Sequence, residues 1–200
     1  MTTLPFKTNL RDGTPILVRQ VEHRDKRLLQ IGLEHLSQRS RYLRFFRPVS
    51  RLSDREPESF STIDQVNHIA LGALDLAHDE PYPIGVARGI RLDNQPHRAE
   101  IAVAVIDTHQ GKGLGTVLLA AVARAASEQN IEMFTAAILA DNHAMLELFG
   151  ELAAERTSHE TGTIHMDVPI HRDADKYPQT PAGEAFRRVY QIIGQQPSAQ

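Results

Sequence analysis

The hydrophobic and polar positions of the chain recur with two different periods, and the changes of period divide the N-terminal third into a hairpin and helices. Residues 4–21 alternate apolar and polar side chains in two arms around an Asp-Gly turn, which predicts a β-hairpin. From 25 to 36 the apolar positions have helical spacing, which predicts an amphipathic helix. A second short helix is expected over 37–46 with Ser37 as its cap, and a third over 53–65.

The hydrophobic pattern in the middle of the chain predicts mainly strands. The strands are predicted at 68–76, 84–92, 100–106 and 133–139. Short polar turns join the first three, so we expect those strands to pair antiparallel. A long helix without Gly or Pro, ending near Asn130, separates the last two, which implies one parallel crossover.

The C-terminal third predicts a helix, a second hairpin and a tail. The helix runs over 143–154, and the hairpin arms over 155–160 and 163–170. The predicted fold is therefore α/β, with a mixed, mostly antiparallel sheet of about seven strands and helices on both faces. We expect one domain over 1–170. Prolines, glycines and a polar end predict a partly flexible tail over 171–200, with a possible short helix, that is dispensable for ligand binding.

A glycine-rich stretch between the third of these strands and the long helix is the strongest functional signal. This stretch, the glycine loop, comprises Gln110, Gly111, Lys112, Gly113, Leu114, Gly115 and Thr116. The first turn of a helix carries N–H groups without helical partners and the positive end of the helix dipole, so glycines there favour phosphate binding. The spacing matches neither a dinucleotide fingerprint nor a P-loop. The alternative is a turn whose glycines only permit close packing.

Composition and charge exclude several classes of protein. Hydrophobic residues make up 41% of the chain and charged residues 24%, as in ordinary globular proteins. The chain has no apolar run that could span a membrane and no signal-peptide pattern, so we expect a cytoplasmic protein. The absence of Cys removes disulfides and thiol chemistry, and no metal is expected. A net charge of −3 argues against a nucleic-acid binder.

The glycine loop resembles the acetyl-CoA signature Q-x-x-G-x-G of the GCN5-related N-acetyltransferase superfamily, and the order of elements is similar to that superfamily over about 10–170. Three segments resemble the bacterial protein-lysine acetyltransferase branch. They are LRDGT at 10–14 with SRYLRFF at 40–46, AEIAV at 99–103, and QGKGLG at 110–115. The resemblance implies acetyl transfer from acetyl-CoA to a primary amine, such as a protein lysine. The sequence leaves open whether the protein is a monomer or a homodimer.

The resemblance also implies roles for individual residues. Glu100 stands ten residues before Gln110, where this branch keeps its catalytic base, and small neighbours at 102 and 104 leave room beside it. The alternative interpretation is that Glu100 lies at a strand end with its carboxylate in solvent and has no catalytic role. Acetyl-CoA would be held by Val103, Val105, Gln110, Gly111, Lys112, Gly113, Leu114, Gly115, Thr116 and Asn142. For Asn142 the alternative is a plain helix cap.

One position departs from the superfamily pattern. Many members place a Tyr seven residues after the Asn, as the acid for the leaving thiolate, and here that residue is Phe149. His68 begins a neighbouring strand and is a candidate to assist, although a lone His is more often structural. His109 is expected to be a loop residue.

The acceptor is left open by the sequence. A small-molecule amine acetyltransferase and a non-catalytic acyl-CoA-binding module both remain alternatives. The residues over the acceptor are expected near 39–55 and 81–83. The first of these segments contains Arg39, Arg41, Arg44, Arg47, Arg51 and Arg55. These arginines predict either an anion site or a solvated face, and nearby acidic residues favour the solvated face.

Overall fold

Residues 4–47 and 63–195, which the computed structural model describes, form one eight-stranded sheet with helices on both faces. The strands are β1 Phe6–Asn9, β2 Pro15–Gln20, β3 His68–Asp75, β4 Tyr82–Leu92, β5 Gln95–Val105, β6 Met133–Leu139, β7 Glu155–Glu160 and β8 Thr163–Pro169. The helices are α1 Lys26–Glu34, α2 Gln38–Phe45, α3 Leu114–Glu128, α4 His143–Glu151 and α5 Pro181–Gln195. Within these ranges no helix is long and apolar enough to cross a bilayer.

The sheet is mixed and mostly antiparallel, as predicted. Its strand order is β1-β2-β3-β4-β5-β6-β8-β7, one strand more than the expected seven. Among the described strands, β5 and β6 form the one parallel pair, and the α3 crossover joins them. Their pairing extends only from Arg98 opposite Met133 to Glu100 opposite Thr135. Beyond that point the two central strands are not paired with each other.

Helix α3 covers one face of the sheet because glycines on β4 let it approach closely. A Cβ on Gly85 would lie 3.0 Å from Leu118 of α3, and one on Gly89 would lie 3.4 Å from Val122. Alanines occupy four other buried positions of α3, which keeps the helix near the strands. The packing holds the start of α3, and with it the glycine loop, fixed above the end of β5.

Helices α1 and α2 belong to the N-terminal half, and both form where the sequence predicts them. Helix α2 begins after Ser37, whose Oγ accepts a hydrogen bond from the main-chain N–H of Ser40 at 3.1 Å. The predicted helix cap is therefore confirmed. The helix predicted over 53–65 lies almost entirely outside the described residues.

The structure differs from the sequence prediction at the C-terminus. The segment expected to be loose contains the fifteen-residue helix α5, which packs on α3. Its buried side chains include Phe186, Val189, Tyr190 and Ile193, whose spacing marks one apolar stripe of a helix. The short helix that the sequence allows over 184–193 is therefore present and longer than expected, and the difference from the prediction is that it packs on the domain.

Candidate active site

A cleft opens where β5 and β6 stop pairing. Its volume is about 600 Å³, and residues of β5, the glycine loop, β6 and α4 line it. Helix α2 contributes Ser40, Leu43 and Arg44 to one wall, and the start of α5 contributes Pro181 and Ala182. The cleft therefore lies between the two halves of the sheet, and its lining includes the glycine loop and Glu100.

The main chain of β5 points its polar groups into this cleft at alternate residues. The N–H of Ile106 donates to the carbonyl of Ile84 on β4 at 3.0 Å, so residues of the same parity face β4. Val103 and Val105 therefore direct their N–H and C=O groups away from β4 and toward the cleft. The carbonyl of Val105 accepts a hydrogen bond from Gln110 Nε2 at 3.0 Å, in agreement with that direction.

The glycine loop ends in a helix start that no side chain caps. Gly111 and Gly113 have φ of +74° and +89°, a conformation that glycine adopts without strain. Gly113 is the residue before α3, and among residues 4–47 and 63–195 no side chain accepts from the N–H groups there. Since the N–H of Val117 is the first to bond back, to the carbonyl of Gly113, the N–H groups of 114–116 have no helical partner. These donors suit an anion.

Polar contacts hold the loop against α2. Gln110 Nε2 donates to Ser40 Oγ at 3.0 Å, so this side chain braces the loop. Asp107 accepts from the main-chain N–H and the Oγ of Ser37 at 2.8 and 2.7 Å. Burial alone would raise the pKa of Asp107, but the hydrogen bonds from Ser37 and Ser40 outweigh it and the pKa is lowered. An ionised Asp107 therefore fastens α2 to the approach of the loop.

Lys112 does not extend into the cleft. Its Nζ lies 2.9 Å from Asp12 Oδ2 in the β1–β2 turn, and the side chain is absent from the cleft lining. Lys112 and the hydroxyl of Thr14 hydrogen-bond to Asp12 and hold the pKa of that carboxyl well below its usual range. The predicted contribution of Lys112 to ligand binding is thus limited by an acidic partner within the protein.

The structure separates the two candidate catalytic residues. Glu100 is exposed in the cleft wall, with Ala102 and Ala104 further along the same wall. His68 lies opposite Ile90 of β4, which lies opposite Glu100. The two side chains are therefore on the same sheet face but roughly 10 Å apart, two strand spacings. His68 is buried and is not part of the cleft lining.

Helix α4 supplies the far wall of the cleft. Asn142 caps this helix, its Oδ1 accepting from the N–H of Met145 at 3.4 Å, and it also lines the cleft. Both interpretations of Asn142 are thus compatible with its place. Phe149 is buried and lines the cleft as well, so an apolar ring occupies the position of the usual acid.

Several contacts at the site were missing from the sequence prediction. Arg11, in the β1–β2 turn, lines the cleft beside the glycine loop. His109, predicted to be a loop residue, lies in a short 3-10 turn before the glycine loop and is buried, with its Nε2 3.2 Å from Asp75 Oδ2. Distant pairs of this kind leave no spacing pattern in a sequence. For Arg11, the segment LRDGT was the available signal.

Two arginines of α2 contact other side chains or carbonyls of the protein on the N-terminal side of the cleft. Arg41 donates to the carbonyls of Leu36 and Glu34 at the end of α1, at 3.0 and 3.2 Å. Arg44 lies over the ring of Phe45 and lines the cleft. Arg51 and Arg55 lie outside the described residues.

Within residues 4–47 and 63–195, no group of three or more His, Asp or Glu side chains is arranged to hold a metal ion.

Comparisons with known proteins identify the family and agree with the fold. A model of the acetyltransferase (GNAT) family matches residues 34–153. Acetyltransferase Pat of Mycolicibacterium smegmatis is 29% identical over 117 residues, which are 56% of this chain and 35% of that protein. The match thus spans about a third of that relative's length.

Two solved structures show the same fold. The GNAT domain of S. lividans PAT superposes with a TM-score of 0.75 at 30% identity, covering 83% of this chain and 97% of that one. The structure of yncA from Salmonella typhimurium with its cofactor acetyl-CoA has a TM-score of 0.61 at 18% identity, covering 79% and 95%. The second likeness is one of fold alone.

Proposed function

The chain belongs to the acetyltransferase (GNAT) family, and from that premise we propose that it moves the acetyl group of acetyl-CoA to a primary amine, with protein lysine as the acceptor. The observation that carries the proposal is the cleft between β5 and β6, with the glycine loop at one end and Glu100 in its wall. The lysine acceptor rests on the similarity to the protein named Pat and to the GNAT domain of S. lividans PAT.

The residues of the cleft fit acetyl-CoA. The uncapped start of α3 offers N–H groups to the pyrophosphate, and the inward main-chain groups of Val103 and Val105 would hold the pantetheine arm. Asn142 and the loop residues Gly111 and Gly115 complete the lining. Bound acetyl-CoA would supply an acetyl thioester, an acyl group that an amine can attack.

Glu100 would act on the amine. A lysine ammonium with a pKa of about 10.4 is neutral in about one molecule per thousand at pH 7.4, a cost of about 4 kcal/mol. A carboxylate in the cleft wall can take that proton, directly or through water, and so restore the nucleophile. The small side chains of Ala102 and Ala104 leave space for the acceptor beside it.

Phe149 has no proton to donate, so this proposal takes the proton for the departing sulfur from solvent. A thiol with a pKa of about 8.5 is a tolerable leaving group without an acid. Mutation of Phe149 to Tyr would add a hydroxyl at the usual position of that acid and tests whether a protein acid increases the rate.

The test is acetyl transfer by Glu100→Gln, which keeps size and hydrogen bonding but removes the base. We expect the rate at neutral pH to fall by about a hundredfold to ten-thousandfold. The loss should shrink at high pH, and the Kd for acetyl-CoA should change little. Glu155→Gln, at an exposed position of β7 outside the cleft lining, is the matched control. Wild-type rates for Glu100→Gln at neutral pH would refute its role.

The acceptor is identified by offering lysine peptides and small amines, with thiol release and mass spectrometry as readouts. Transfer to peptides at a higher kcat/KM supports the lysine proposal. Preference for a polyamine or another small amine would contradict it and support the small-molecule alternative. Tight acetyl-CoA binding without thiol release on any acceptor would instead indicate a non-catalytic binding module.

A further inference from the structure

The β1–β2 turn reaches the glycine loop from the far edge of the sheet. The N–H of Arg11 donates to the carbonyl of Lys112 at 3.1 Å, which fixes the turn beside the loop. The Arg11 side chain then crosses over Gly113: a Cβ on that glycine would lie 3.3 Å from Arg11 Nε and 3.5 Å from its Cγ. Gly113 thus accommodates both a positive φ and the stem of an arginine.

The two cations at this place have different surroundings. Lys112 is paired with Asp12, so its charge is largely balanced within the protein. Arg11 is exposed, lines the cleft, and makes no ion pair with a carboxylate of residues 4–47 or 63–195. Within the described residues, a guanidinium without a carboxylate partner therefore lies directly beside the helix start that offers main-chain N–H groups.

From this geometry we propose that Arg11 binds the pyrophosphate of acetyl-CoA, so that the N-terminal hairpin supplies a side chain to the cofactor site. A guanidinium presents donors in a fork that matches phosphate oxygens, and together with the main-chain donors of α3 it encloses the anion from two sides. The pyrophosphate is favoured over the 3′-phosphate because Arg11 lies against Gly113, the residue that opens α3. The inference rests on the proposed use of acetyl-CoA.

The test compares Arg11→Met with the wild-type chain. Met keeps an apolar stem over Gly113 and removes the charge. We expect Kd values from calorimetry to rise roughly tenfold to a hundredfold for both CoA and dephospho-CoA, as for the loss of a charged hydrogen bond. The salt dependence of binding should weaken, and Arg11→Lys should recover part of both effects. The matched control is Arg188→Met, at an exposed position of α5 outside the cleft lining.

The results of these measurements distinguish failure of the proposed function from failure of the inference about Arg11. If wild-type chain fails to bind CoA, the proposed function fails before Arg11 is at issue. If wild-type binds CoA and Arg11→Met binds it equally well, the inference about Arg11 is overturned. An effect on CoA that disappears with dephospho-CoA would overturn the pyrophosphate assignment and point to the 3′-phosphate. Weaker binding with a lowered unfolding temperature and no rescue by Lys would show that Arg11 only supports the loop.

Discussion

The two ends of α3 are built for opposite purposes. At its first residues the helix has glycine before it, no side-chain cap, and main-chain donors that face the cleft. At its last turn, Arg124 pairs with Glu128 at 3.0 Å and lies over the ring of Tyr190 from α5. Ser127 donates to the carbonyl of Arg124 and accepts at its own carbonyl from Arg172. The N-terminal end of α3 therefore keeps main-chain donors available for a ligand, and we call it the open end. Side chains of the protein contact its C-terminal end, the closed end.

The largest expected effect is a loss of stability when the buried face of α5 is truncated. Phe186 is 2% exposed in the contact of α5 with the rest of the domain. Phe186→Ala should lower the free energy of unfolding by about 3–5 kcal/mol, as for other aromatic truncations in a core, measured by urea denaturation. Folded protein should still bind acetyl-CoA with nearly wild-type Kd.

The exposed Arg188 on the same helix provides the control, since Arg188→Ala should leave stability within about 0.5 kcal/mol of wild type. A chain ending near Arg172 removes all of α5, and we expect it to aggregate. If that chain stays soluble and unfolds like the full chain, α5 does not contribute to stability as proposed.

The open end is tested by a matched pair of glycines. Gly111 and Gly162 have φ of +74° and +76°, and a Cβ on either meets no atom within 4 Å. Valine should therefore strain both backbones by a similar amount, about 1–2 kcal/mol. Only Gly111→Val should also weaken acetyl-CoA binding, by roughly a hundredfold or about 2.7 kcal/mol. Equal Kd values for the two variants would show that the loop does not approach the ligand.

A smaller effect on stability is expected from the buried tyrosine hydroxyls where α5 contacts the rest of the domain. Tyr190 and Tyr177 share a hydrogen bond of 2.8 Å, and Tyr190 also donates to the carbonyl of His171 at 3.0 Å. Tyr190→Phe should lower the free energy of unfolding by about 1–2 kcal/mol, because a buried acceptor loses its donor. Tyr42→Phe, at a position 46% exposed, should have almost no effect in the same denaturation experiment.

The smallest effect concerns Asp107, which fastens α2 to the approach of the glycine loop. Because the fold lowers its pKa, the ionised carboxylate contributes stability above the unfolded value of about 3.9, and loses it as the pH falls through the folded value. Asp107→Asn should cost about 0.5 kcal/mol at neutral pH. Its difference from wild type should shrink progressively in unfolding experiments as the pH falls below about 4 toward the lowered folded pKa. A difference that stays constant over this range would exclude the charge as the cause.

Features that depend on local sequence could be predicted, whereas contacts between distant parts of the chain could not. The strand, the glycine loop and the long helix follow from local periodicity and glycine spacing, so their order was predicted correctly. The fold class followed from the lengths of the connections. Packing of α5 was not predicted, because its apolar stripe is short and stands among prolines and glycines. The pairing of Lys112 with Asp12 joins residues far apart in the chain, and no local pattern encodes such a contact.

The bond between Arg11 and Lys112 has a consequence for the order of folding. These residues are about a hundred positions apart, so the chain must close a long loop before they meet, at a cost in entropy that local contacts do not repay. We expect β5, α3 and β6 to assemble first and the turn between β1 and β2 to dock afterwards. Affinity for CoA would then emerge late in refolding, and the ligand would stabilise the finished chain in preference to its partly folded forms.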